Sequence, residues 1–132
     1  MKKTYTLIII LVFFAIISFT CNDSDDMSSP QQDELAELIT LKTEIISLAN
    51  KSICNETTEC KFIGLGAKPC GGPLEYLVYS TSINTTKLTA LVKDYNKKNE
   101  AYNTKWNIAS DCAVTTPPTS LNCKNNTCIA EY

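Results

Sequence analysis

Six cysteines, Cys54, Cys60, Cys70, Cys112, Cys123 and Cys128, fall within 75 residues, and they constrain this chain's fold more than any other feature. An even cysteine count in an exported chain reads as three disulfides, with fifteen connectivities that spacing alone leaves open. A domain of this size buries too little surface for a wide stability margin. Cross-links supply the difference, each contributing about 2–4 kcal/mol, mainly by restricting the unfolded chain. The competing use of these thiols is metal ligation. No C-x-x-C pair occurs, which removes both the usual zinc spacing and dithiol redox chemistry, so no metal and no cofactor is expected.

The exported context is written in the first 26 residues. Lys2 and Lys3 precede a 13-residue apolar run from Leu7 to Phe19, followed by Cys21 and the acidic Asn22-Asp23-Ser24-Asp25-Asp26. Spanning a bilayer as a helix takes about 20 residues, so the run is too short for a permanent anchor. A charged start, a short apolar core and a cysteine at the cleavage position resemble the signal peptide of a bacterial lipoprotein, although Ser18 and Thr20 stand where the usual box has Leu and a Gly, Ala or Ser. The resemblance implies a signal peptide over 1–20, acylation of Cys21, a flexible acidic tether over 21–29 and a single small domain over 30–132. It also implies a lipid membrane as partner and a place in the cell envelope. That place is expected to be the outer membrane, with the acidic tract similar to a surface-export tag.

Without its first 20 residues the chain carries ten lysines against fourteen acids, with no arginine and no histidine. A net charge of −4 argues against nucleic acid, which needs a basic footprint. The missing histidine removes Ser-His and Cys-His nucleophile activation, the commonest general base and every histidine-containing zinc site. An enzyme would have to work with carboxylates alone, as glycosidases do. Glu75, Asp94, Glu100 and Asp111 are the candidates, and their spacing selects no pair. No catalytic residue is therefore expected.

Ser29 can cap a helix that has Pro30 at its first position and Asp33 and Glu34 in the first turn. Leu35, Leu38, Ile39, Leu41, Ile45, Leu48 and Ala49 then recur at helical spacing, which predicts a helix near 30–51 with one face for burial. A second helix is predicted between Thr85 and Ile108, capped by Asn84 or Thr85. Its seam runs through Leu88, Val92, Tyr95, Asn99, Tyr102 and Trp106. The aromatic stripe reads as core rather than as a carbohydrate platform, and Lys87, Lys93, Asp94, Lys97 and Lys98 read as a solvated face. Strand-like stretches are Lys61 to Leu65, Glu75 to Ser80, Thr119 to Cys123 and Cys128 to Glu131. The last two flank Lys124-Asn125-Asn126-Thr127, where asparagine tolerates the positive φ of a tight hairpin. The expected fold is α+β: two amphipathic helices on a small antiparallel sheet of three or four strands, stapled by disulfides. Cys70 and Cys112 bracket the second helix, so a bridge between them is expected, leaving Cys54 and Cys60 to pair with Cys123 and Cys128.

All four glycines of the chain lie between Gly64 and Pro73. Gly66, Lys68, Pro69, Gly71, Gly72 and Pro73 form a candidate recognition loop held rigid for binding, since preorganisation lowers the ordering cost. The plainer alternative is a rigid turn pinned by Cys70. Lys68 at an exposed tip would suit a trypsin-like pocket, although Pro69 behind it disfavours a standard inhibitory loop.

Taken with Cys54 and Cys60, Tyr76-Leu77-Val78-Tyr79-Ser80, Tyr95-Asn96 and Ser110-Asp111-Cys112, the Gly64-Leu65-Gly66-Ala67-Lys68-Pro69-Cys70-Gly71-Gly72-Pro73 segment resembles an uncharacterised family of small exported six-cysteine bacterial domains. The resemblance covers roughly 54–128. It implies one domain and a six-cysteine framework, and no activity or ligand. The expected role is a membrane-anchored, non-catalytic binding or inhibitor module. The alternatives are a structural envelope lipoprotein without a specific ligand and a carboxylate-dependent hydrolase.

Overall fold

The computed structural model describes residues 29–132. The expected signal peptide, the acylation site Cys21 and all but the last residue of the tether lie outside the described residues. Helix α1 (Pro30–Asn50) opens as its sequence dictates. The Ser29 hydroxyl accepts from the Gln32 amide at 3.3 Å and the Gln32 side chain accepts from the Ser29 amide at 2.8 Å, a reciprocal box that satisfies two donors the helix cannot. Helix α2 (Thr85–Lys105) is capped by Asn84, whose side chain accepts from the Lys87 amide at 2.8 Å.

The two helices run antiparallel. Ion pairs between them fix the register: Glu44 with Lys87 at 3.3 Å, Glu37 with Lys98 at 2.5 Å, and Glu34 with Lys105 at the far end. Lys87 and Lys98 therefore bridge helices rather than simply facing solvent. Leu38, Ile45 and Ala49 of α1 and Leu88, Val92 and Tyr95 of α2 are buried together. Burial pushes the Tyr95 phenol above its ordinary range. The first turns of α1 depart from the expected apolar seam, because Leu35 and Ile39 stay 42% and 57% exposed.

Strand β1 (Cys60–Leu65) pairs antiparallel with β2 (Glu75–Ser80), with Phe62 opposite Val78 and Gly64 opposite Tyr76. Opposed residues share a face and faces alternate along a strand. Ile63, Leu65, Leu77 and Tyr79 thus point to the helices and complete the core. On the same face Glu75 meets Lys42 of α1 at 2.6 Å, a bond that holds the Lys42 ammonium above its ordinary range. On the opposite face Phe62 and Tyr76 stack edge to face, with ring centroids 5.4 Å apart.

Strand β3 (Ser120–Lys124) pairs with β4 (Thr127–Glu131) across a two-residue turn in which Asn125 and Asn126 take φ of 51° and 61°. Positive φ at both central residues matches the right-handed twist of the flanking strands. The fold is α+β and disulfide-stapled, with the four strands among the described residues in two two-stranded sheets rather than one. The reason lies in the cross-links, Cys54–Cys123, Cys60–Cys128 and Cys70–Cys112, with Cα atoms 5.8, 5.6 and 5.5 Å apart. Cys60 shares the outer face of β1 with Phe62. Its bridge therefore draws the second hairpin against side chains of the first, β3 near β1 and β4 near β2, instead of extending the ladder at an edge.

Candidate functional site

The candidate loop begins where β1 ends. Gly66 turns the chain with φ +81°, and a Cβ there would lie 2.5 Å from Leu74 Cδ1 and 2.9 Å from Leu74 Cβ. Both the backbone angle and the contact demand glycine. Beyond it the Lys68 amide donates to the Gly72 carbonyl at 2.9 Å, and the Gly71 amide donates to the Lys68 carbonyl at 2.9 Å. The second bond closes a β-turn with Pro69 at its second position, where a fixed φ is favourable. Gly71 and Gly72, at φ +94° and +83°, form the exposed tip, and nothing lies within 4 Å of the place a Cβ would take on either.

What holds this irregular backbone is a polar stripe on α2. Asn96, Asn99 and Asn103 lie three and four residues apart, hence on one side of the helix. The Asn96 side chain accepts from the Gly66 amide at 2.7 Å and donates to the Gly64 carbonyl at 3.0 Å. Asn99, 8% exposed, accepts from the Ala67 amide at 2.8 Å, and Asn103 donates to the Ala67 carbonyl at 2.7 Å. Backbone groups that leave the β-ladder at Leu65 are thus paired by side chains, as buried polar groups must be. Sequence reasoning placed Asn99 in the apolar seam, gave Asn96 only as part of the family resemblance, and missed Asn103. An N-x-x-N-x-x-x-N pattern on a helix facing a glycine-rich turn was the available signal.

A second set of ties comes from the chain beyond α2. The Cys70–Cys112 bridge joins the loop to the Ser110–Ala113 turn, in which the Asp111 carboxylate accepts from the Ala113 amide at 3.1 Å. Lys68 belongs to the same tie. Its ammonium donates to the Ala113 carbonyl, lies 4.0 Å from Asp111, and its side chain is only 14% exposed. This corrects the expectation that Lys68 projects from an exposed tip. The ammonium turns inward because a carbonyl and a carboxylate await it there, so it does not offer the protruding side chain that a trypsin-like pocket requires.

Between the loop and the last turns of α2 lies an open groove of about 630 Å³, lined by Lys68, Pro69, Gly71, Glu100, Asn103, Thr104 and Asn107. Asn107 takes φ 49° as the chain turns off the helix. Of the four carboxylates considered for catalysis, Glu75 pairs with Lys42, Asp94 lies 3.5 Å from Lys98, and Asp111 is tied to Lys68 and Ala113. Glu100 is the one that lines the groove. A smaller cavity of about 370 Å³ lies between the helices over Leu38 and Tyr102. Its charged rim is spent internally: Glu37 on Lys98, and Glu34 on Lys105 and on the Trp106 indole, 2.9 Å away. Those last two bonds hold the Glu34 carboxyl below its ordinary range. The loop groove, with open glycine backbone and a carboxylate turned to it, is the better candidate for recognition.

Comparison with models of known families, with curated proteins and with solved structures finds no match to this chain.

Proposed function

We propose that this chain is a lipid-anchored, non-catalytic binding module of a bacterial cell envelope, with the loop groove as its recognition site. The observation that carries the reading is the contrast within one loop. Gly66 and Ala67 are fixed to α2 by asparagine side chains, whereas Gly71 and Gly72 present bare backbone with open space above it. A loop fixed at its base and unobstructed at its tip offers a partner a pre-shaped surface at little ordering cost, the Gly71 N–H and the Gly72 C=O being spent on Lys68. Anchoring is supported by the sequence of the first 26 residues, where two or more acyl chains on Cys21 would hold the domain at a membrane surface.

The test is capture from detergent-solubilised envelope fractions on the immobilised Cys21→Ser chain, run beside Glu100→Lys and Thr104→Tyr variants that alter the groove without touching the asparagine stripe. The expected result is a partner retained by the parent chain and lost from both variants. Equal retention by all three, or no retention by any, contradicts the reading and leaves a structural lipoprotein without a specific ligand.

A further inference from the structure

The loop groove carries an unbalanced negative charge. Lys68 lines it, but its ammonium is spent on the Ala113 carbonyl and on Asp111, 4.0 Å away. Lys105, the cation of the last turn of α2, turns to Glu34 of α1. Glu100 lines the groove and is exposed, and among the described residues no cation pairs with it, not even Lys97 one turn earlier. The groove also takes in the C-terminal end of α2. Helix carbonyls point along the axis toward that end, the negative pole of the helix dipole. Of the last four, Tyr102 accepts from the Trp106 amide and Asn103 from the Ile108 amide, both at 3.0 Å. The Thr104 and Lys105 carbonyls have no such donor, and the chain turns off the helix at Asn107 with φ 49°. Asn103 commits its Nδ2 to the Ala67 carbonyl, so its Oδ1 is a further acceptor. Pro69 and Ile108 add apolar wall beside these oxygens.

We infer that the groove recognises an arginine side chain of a partner protein, an inference that rests on the groove being the recognition site. A guanidinium matches what is offered: it is planar, always charged, and presents five N–H donors and no acceptor. Two of those donors can meet the Glu100 carboxylate side by side, which is the stronger form of a charge-assisted bond, and the others are left for the helix-end carbonyls. A lysine ammonium is a compact point charge and cannot reach both at once. The aliphatic stem of the arginine would lie against Pro69 and Ile108. This chain contains no arginine, so neither its own termini nor a second copy can supply the group. At about 630 Å³ the groove is within the size range of sites that hold a small ligand.

The experiment titrates the oxidised, isotope-labelled Cys21→Ser chain with the blocked peptide acetyl-glycyl-arginyl-glycine amide and follows backbone amide shifts by NMR. Saturation at millimolar peptide is expected, with shifts at Gly71, Thr104 and Asn107 and none in β3 or β4. The citrulline peptide, which keeps the shape and loses the charge, should bind at least tenfold more weakly, and the lysine peptide should fall between the two. Glu100→Gln, a change at an exposed position, should weaken the arginine peptide at least tenfold while the Ala67 amide keeps its shift. Free arginine brings a carboxylate of its own toward Glu100 and should bind more weakly than the blocked peptide. Absence of saturable shifts with the arginine peptide overturns the inference, as does equal binding of the citrulline peptide or undiminished binding to Glu100→Gln. Free arginine binding as tightly as the peptide overturns the assignment to a partner protein. Should the arginine peptide fail while a partner is still captured through the groove from envelope fractions, the proposed recognition site stands and only its arginine falls. Failure of both removes both.

Discussion

The helical side of this domain and its cysteine side are held together by different physics. On the helical side, Leu38, Ile45, Leu88, Val92 and Tyr95 close over Leu65 and Tyr79, and every member of that core comes from the helices or the first hairpin. On the other side the β3–β4 hairpin contributes nothing to the core and is held by two bridges and by the hydrogen bond between Cys54 and Asn126. The glycine loop belongs with the second kind: its ties are asparagine side chains, an inward lysine and one bridge. Apolar burial determines which residues go inside, but it leaves no surface to spare. Covalent and polar ties hold a backbone in place while keeping it in reach of solvent, which is what recognition requires.

Removing the ties of one side should break this comparison most visibly. Replacing Cys54, Cys60, Cys123 and Cys128 by serine should cost at least about 4 kcal/mol, given about 2–4 kcal/mol for each long-loop bridge. Amide exchange should show the β3–β4 amides losing protection while α1 and α2 keep theirs. Simultaneous loss of protection in both helices would show that the two sides are one cooperative unit. Leu88→Ala works in the opposite direction. Deleting this fully buried side chain should cost about 2–5 kcal/mol in chemical denaturation, and the bridges should hold the second hairpin's register in what remains.

Asn99→Ala is a smaller change that reaches the loop. It leaves the Ala67 amide without its acceptor, a loss of about 1–3 kcal/mol that should appear as faster exchange at Gly66 and Ala67 with Leu88 and Val92 unaffected. The smallest effect is expected at the helix ends. The Glu34 carboxyl lies below its ordinary value of 4.5 because of its bonds to Lys105 and Trp106. Its contribution is therefore present above about pH 4.5 and is lost as the pH falls through the depressed value. Fluorescence of Trp106, the chain's single tryptophan, should report an acid transition that Glu34→Gln abolishes. An unchanged transition in that variant would assign it to another group.

The helical side was legible in the sequence because its determinants are local. Ser29-Pro30 and Asn84 mark helix starts, and the seam from Leu88 to Trp106 repeats at helical spacing; on the other side only the equally local Asn125-Asn126 turn was as readable. Bracketing by α2 also made the Cys70–Cys112 bridge readable. The cysteine side was less legible because its contacts join residues about 30 to 70 positions apart. Nothing local says that Asn96 meets Gly66, that Lys68 turns back to Ala113, or that the second hairpin is drawn onto a face rather than to an edge. Polar residues on a helix read as solvated until the backbone they satisfy is known.

The most direct measurement is residue-resolved hydrogen exchange on the oxidised Cys21→Ser chain, comparing the Gly66 and Ala67 amides with those of β1. If the loop is preorganised by the asparagine stripe, these amides will exchange as slowly as strand amides, and Asn99→Ala will release them. Exchange at the rate of an unstructured segment in the parent chain would contradict the account, because a loop that is not held in advance cannot be the fixed recognition surface proposed for it.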